Sequence, residues 1–86
     1  MKVTHVKHRI HTVYIGRPTI YGNPFIIGED GTRIQVIKKF EKFARSNEGM
    51  LHAIDQLKKD DILGCHCKPR KCHGDVIMKI WKERHP

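Results

Sequence analysis

Three short apolar runs and three longer periodic ones divide the chain. Val13, Tyr14 and Ile15 form a compact run ahead of Gly16, the length and β-branched character of a buried strand. Val3 and Val6 suggest another short strand nearer the start, and Ile62, Leu63, Gly64 and Cys65 follow Asp60 and Asp61 as a third. Elsewhere the apolar spacing lengthens to the helical period. Ile34, Ile37, Phe40, Phe43 and Ala44 share one face of a helix that Thr32 can cap from just before Arg33. Ser46, Asn47 and Gly49 interrupt that segment, and Met50, Leu51, Ile54 and Leu57 begin a second face, unless one bent helix runs through both. Val76, Ile77, Ile80 and Trp81 give an inward stripe to a terminal helix, leaving Lys79, Lys82 and Glu83 for solvent. Between Gly16 and Thr32, Pro18, Gly22, Pro24, Gly28 and Gly31 punctuate a structured loop.

These elements predict a small α/β fold: a single domain over residues 1–86, with a short parallel or mixed sheet and about three helical segments. A chain of 86 residues with 38% hydrophobic content supports one modest core and excludes a second independent domain. If the strands ending at Ile15 and Cys65 are parallel neighbours, the intervening helices supply the crossover that parallel pairing requires. Their outgoing loops then flank one crevice, with Gly16 and Arg17 on one side and Cys65 to His73 on the other. No internal repeat or low-complexity segment is present.

Charge narrows the partners without choosing one. Lys and Arg number 17 against 9 Asp and Glu, a net +8 that favours phosphate, an acidic protein or an anionic surface, so a phosphorylated small molecule or nucleotide leads and nucleic acid or an acidic host protein follows. The sequence has no continuous basic arm and no aromatic series of the kind many nucleic-acid binders use. The first 16 residues lack a signal-peptide apolar core, and no run is long enough for a bilayer, which excludes a membrane role and points to the cytoplasm. Oligomeric state is not encoded in any pattern here.

All three cysteines lie in one segment, Cys65 to Asp75, which also carries His66 and His73. Such clustering suits a reducing compartment better than a disulfide framework. Cys65, Cys67, Cys72 and His73 offer the sulfur and imidazole ligands of a tetrahedral zinc site, although the C-x-C-x4-C-H spacing differs from paired zinc knuckles. The bland reading packs the cysteines as small apolar residues and gives the histidines main-chain hydrogen bonds. A catalytic reading makes Cys65 or Cys67 a nucleophile, His66 or His73 its base, and Asp75 the group that orients the imidazole or binds a cation. Arg17 with Lys68, Arg70 and Lys71 can receive phosphate, Arg70 by a planar two-point contact. Amides near Gly74 can do so too if they open a helix, whereas Asp75 can cap those amides instead. Scattered His5, His8, His11, His52 and His85 read individually as surface or packing residues.

The separated motifs VYIGRP and GNPF, then GTR, then CHCKP and CHGD, resemble the bacterial and bacteriophage family called domain of unknown function 4326 over roughly positions 11 to 81. That resemblance draws attention to Gly16, Arg17, Pro18, Gly22, Asn23, Pro24, Phe25, Gly31, Arg33, Cys65, Cys67, Pro69, Cys72, His73, Gly74 and Asp75. Many relatives carry an aromatic residue where this chain has His66, which makes His66 the weakest of the candidate ligands. The family name supplies no chemistry; it implies a phage or bacterial source, hence the host cytoplasm if phage-encoded. The expectation is therefore a domain that binds a phosphorylated or nucleotide-like ligand, with Arg17, Asn23, Arg33 and Arg70 positioning it. A nucleotide-related transferase or hydrolase with a cysteine nucleophile, and a phage-encoded protein that binds a host macromolecule, are the alternatives.

Overall fold

The computed structural model describes residues 1–7 and 10–86, so His8 lies outside the described residues. Three strands, β1 (Lys2–His5), β2 (Val13–Tyr14) and β3 (Ile62–Cys65), make one sheet in the order β1-β3-β2. Both pairings are parallel, with Val3 and Val13 each level with Leu63, and Thr4 and Tyr14 each level with Gly64. Val6, expected in the first strand, falls just beyond it, though its N–H still bonds the Cys65 carbonyl at 2.9 Å.

Helix α1 (Arg33–Ser46) begins as its sequence dictates. The Thr32 side chain accepts from the Gln35 N–H while the Gln35 side chain accepts from the Thr32 N–H, which satisfies two donors the helix start would otherwise strand. Its buried positions are Val36, Phe40 and Ala44, whereas Ile34 is 56% exposed. Ile34 sits two residues before Val36, a step that carries a side chain to the opposite side of a helix, so it belongs to solvent and not to the expected face. Asn47 then both ends α1 and starts α2 (Glu48–Asp55): its N–H reaches the Ala44 carbonyl, and its Oδ1 takes the Met50 N–H at 2.8 Å. One residue therefore makes the break that a bent helix would have smoothed over.

Helix α3 (His73–Arg84) buries Val76, Ile77 and Ile80, and the half-buried Trp81 donates its indole N–H to the Leu57 carbonyl at 2.9 Å. It packs on β1, while α1 and α2 pack on α3 and on each other. The close approach needs Gly74, because a Cβ there would meet Ile15 Cδ1 at 2.8 Å and Val3 Cγ1 at 2.9 Å. The core is one cluster that runs from Ile15, Leu63 and Cys65 of the sheet to Phe40, Ile54 and Ile77 of the helices. No helix among the described residues is long and apolar enough to cross a membrane.

Candidate functional site

Parallel strands deliver their loops to one end of the sheet, and a cavity of about 480 Å³ opens there. The segment after β2 and the segment after β3 form its sides, with the start of α1 between them. Its walls carry Arg17, Arg33 and Lys71, and no described lining residue is an Asp or Glu. Phe25, Ile26, Ile27, Val36 and Ile37 give it an apolar side, of which Ile26 and Ile27 remain 38% and 47% exposed.

Local geometry accounts for each wall. Arg17 sits on a turn closed by Thr19 N–H to the Gly16 carbonyl and Gly22 N–H to the Thr19 carbonyl, both 3.0 Å. Gly22 lies against the Arg17 stem so closely that a Cβ would come within 2.9 Å of Arg17 Cγ. Asn23 lines the cavity, yet both ends of its amide are engaged: Nδ2 donates to the Val36 carbonyl at 3.3 Å, and Oδ1 accepts the Phe25 N–H at 2.9 Å. Asn23 thus pins the loop to α1 and presents Phe25, whose ring stands edge-on to Phe43 at 6.2 Å. Arg33 Nη1 donates to the Lys71 carbonyl at 3.2 Å, which ties α1 to the loop after β3.

The Cys/His segment splits into two groups. Cys65 at the end of β3 and Cys72 ahead of α3 are buried, with sulfurs 3.5 Å apart, and the half-buried Cys67 shares the cavity wall with them. Burial, reinforced by the neighbouring Cys65, pushes the Cys72 thiol up to about 12, so it stays protonated at neutral pH. His73 is turned to the main chain: its Nε2 lies 2.8 Å from the Ile15 carbonyl, and its ring stands edge-on to Phe40 at 5.0 Å. Burial lowers its pKa below the usual 6.5, with the Arg17 charge acting in the same direction against the Ile15 and Tyr21 carbonyls and Asp75. Among the described residues, no group of three or more His, Cys, Asp or Glu side chains is arranged to hold a metal.

Asp75 stands apart from the cavity lining. It accepts from Lys68 Nζ at 2.9 and 3.1 Å and from the Cys72 N–H at 3.4 Å, so it caps α3, and among the described residues no imidazole donates to it. The same pair raises the Lys68 pKa: burial works against the charge, and the Asp75 hydrogen bond and charge outweigh it. Arg70 is exposed on the loop containing the cis Lys68–Pro69 bond and does not line the cavity, whereas its neighbour Lys71 does. Of the residues expected to position a ligand, Arg17, Asn23 and Arg33 meet in one cavity and Arg70 does not. Sequence reasoning put His66 beside the crevice but missed Tyr14 and the wall the two make, their hydroxyl and Nε2 3.1 Å apart. They stand 52 positions apart, and only the pairing of β2 with β3 brings them together.

Fold and cavity together define a small parallel α/β domain with a basic cleft at its strand ends. The chain belongs to the domain of unknown function family DUF4326, whose model matches residues 2–83. It is similar to an uncharacterized 12.4 kDa protein from the nrdA-td intergenic region of Enterobacteria phage T4, at 41% identity over 73 residues. The match covers 79% of this chain and 65% of the phage protein, so the chain spans less than two thirds of that relative's length. No solved structure matches the chain.

Proposed function

We propose that the cleft binds a nucleotide-like ligand. The observation that carries this reading is the pairing, in one cavity, of three cations and no carboxylate with an apolar wall. A cavity of about 480 Å³ falls within the range of small-molecule sites, and sites of that kind combine apolar walls with a few placed polar groups. The phosphate lies toward Arg17, Arg33 and Lys71, where a guanidinium offers paired donors and a lysine a movable charge. The base or sugar covers Phe25, Ile26 and Ile27, whose partial exposure is otherwise unfavourable.

Isothermal titration with nucleoside 5′-monophosphates, the matching nucleosides and inorganic phosphate tests the two halves separately. The intact nucleotide binds more tightly than either fragment, and Arg17→Ala weakens it by about 10- to 100-fold, the effect of losing a charge-assisted hydrogen bond. Equal binding of nucleoside and nucleotide, or an Arg17→Ala variant that binds as the parent does, would sink the reading.

A further inference from the structure

Four rings, three from the segment of the first two strands and one from the distant loop after β3, meet at one end of the sheet. His5 closes β1, His11 precedes β2, Tyr14 ends it, and His66 follows β3. Their centroids are spaced 5.9 Å from His5 to His66, 5.7 Å from His66 to Tyr14 and 6.3 Å from Tyr14 to His11, each pair tilted or edge-on. The row crosses the strands in their sheet order.

Strand alternation sets the face of Tyr14. Val3 meets Gly74 of α3, so Val3, Leu63 and Val13 point to the helices, and the next level, Thr4, Gly64 and Tyr14, points away from them. His5, level with Cys65 at the last position of β1, and His11, ahead of β2, join the row through their ring contacts with His66 and Tyr14 and not through the alternation. Parallel sheets usually carry helices on both faces, but here the helices gather on one. Gly64 leaves the middle of the other face bare, and the His11 ring lies over it so closely that a Cβ would meet it at 2.6 Å. His66 is exposed and the other three rings are half-buried. Because Tyr14 and His66 also line the cleft, the face and the cleft form one continuous surface.

We infer that this row of rings is a stacking platform for the bases of single-stranded nucleic acid, one nucleotide of which occupies the cleft. The inference rests on the nucleotide reading of the cleft and extends it from a free nucleotide to a strand. Flat faces are offered by every base, and stacking on aromatic side chains holds them without sequence preference. A duplex hides those faces inside its own stack. The charge is complementary: Lys7 beside the row and Arg17, Arg33 and Lys71 in the cleft form no ion pair with a carboxylate among the described residues, while Glu41, Asp55 and Glu83 are taken by cations on the helices. Those free cations suit a chain of phosphates.

Fluorescence anisotropy with labelled ten-nucleotide oligothymidylate and oligouridylate, a ten-base-pair duplex, and competition by a mononucleotide tests the platform. Single strands bind more tightly than either the mononucleotide or the duplex. His11→Ala weakens strand binding by about 5- to 100-fold, the range for removing a stacking ring, and leaves mononucleotide affinity unchanged because His11 is outside the cleft. His66→Ala, on an exposed side chain that leaves the fold intact, weakens the strand too, with no change in the slope of affinity against salt. If the mononucleotide binds and the strand gains nothing, the platform is overturned and the cleft reading stands; if neither binds, both fall. Equal binding of duplex and strand, insensitive to both substitutions, overturns the platform in favour of general attraction to polyanions.

Discussion

His73 shows how a chemically suggestive residue can serve structure. The unfolded imidazole takes up a proton near its ordinary 6.5, whereas the folded one, lowered by burial, resists protonation. Its contribution is therefore full above 6.5 and is lost as pH falls through the lowered folded value. His73→Gln removes this titration along with a buried hydrogen bond, at a cost of about 1–3 kcal/mol near neutrality. In urea unfolding, the stability gap between parent and variant narrows from pH 7.5 toward pH 5; parallel curves would mean that burial does not hold the ring neutral. For the thiols, iodoacetamide at pH 8 followed by peptide mapping modifies the half-buried Cys67 before the buried Cys65 and Cys72; Cys72 reacting first would contradict a thiol pushed up to about 12. The sequence displayed these side chains but not the carbonyl of Ile15, and main-chain partners depend on how distant segments meet.

Among the elements, helices were the most legible because their periodicity and caps are local. Thr32 announces the start of α1 just ahead of Arg33, and the stripe of α3 is visible in Val76, Ile77 and Ile80. Less visible was the double duty of Asn47, since a polar residue followed by Gly49 also suits a bend. Asn47→Ala removes the cap of α2 and lowers stability by about 1 kcal/mol, while Asn47→Asp, which keeps an acceptor, loses less than half of that in the same urea titration. Gly74→Ala makes a stronger case. Glycine to alanine within a helix ordinarily helps, but here the added methyl meets Ile15 and the stiff, branched Val3, so overpacking costs about 1–3 kcal/mol. A more stable Gly74→Ala protein would show that α3 can lift from the sheet freely. The parallel pairing was readable from the length of the crossover, yet the place of β1 on the far side of β3 was not, because no local signal states which edge a strand joins.

Across the whole molecule, charge is plentiful but unevenly matched. The chain carries +8 within extents of 33 × 31 × 21 Å, and at about 0.01 M salt the screening length of roughly 30 Å spans that body. At about 0.1 M it shrinks to roughly 10 Å. Exposed helix pairs such as Arg45 with Glu83 contribute little in water. Raising sodium chloride from 0.01 to 0.1 M therefore raises the thermal midpoint by relieving self-repulsion; a fall would mean that the helix ion pairs outweigh it. Half of the cleft was visible in advance, since Arg17 and the cysteines stand on the two loops that the topology was expected to join, and Arg33 was among the residues expected to position a ligand. Its aromatic wall was hidden, because Tyr14 and His66 become neighbours only through the sheet. At the other end of the fold stands the lone tryptophan, its indole fixed to the Leu57 carbonyl and stacked on His85 at 4.6 Å, away from the cleft lining. Nature has thus placed the molecule's intrinsic fluorophore where it answers to melting and ignores occupancy: emission reports unfolding, and a ligand filling the cleft leaves the colour of that light unchanged.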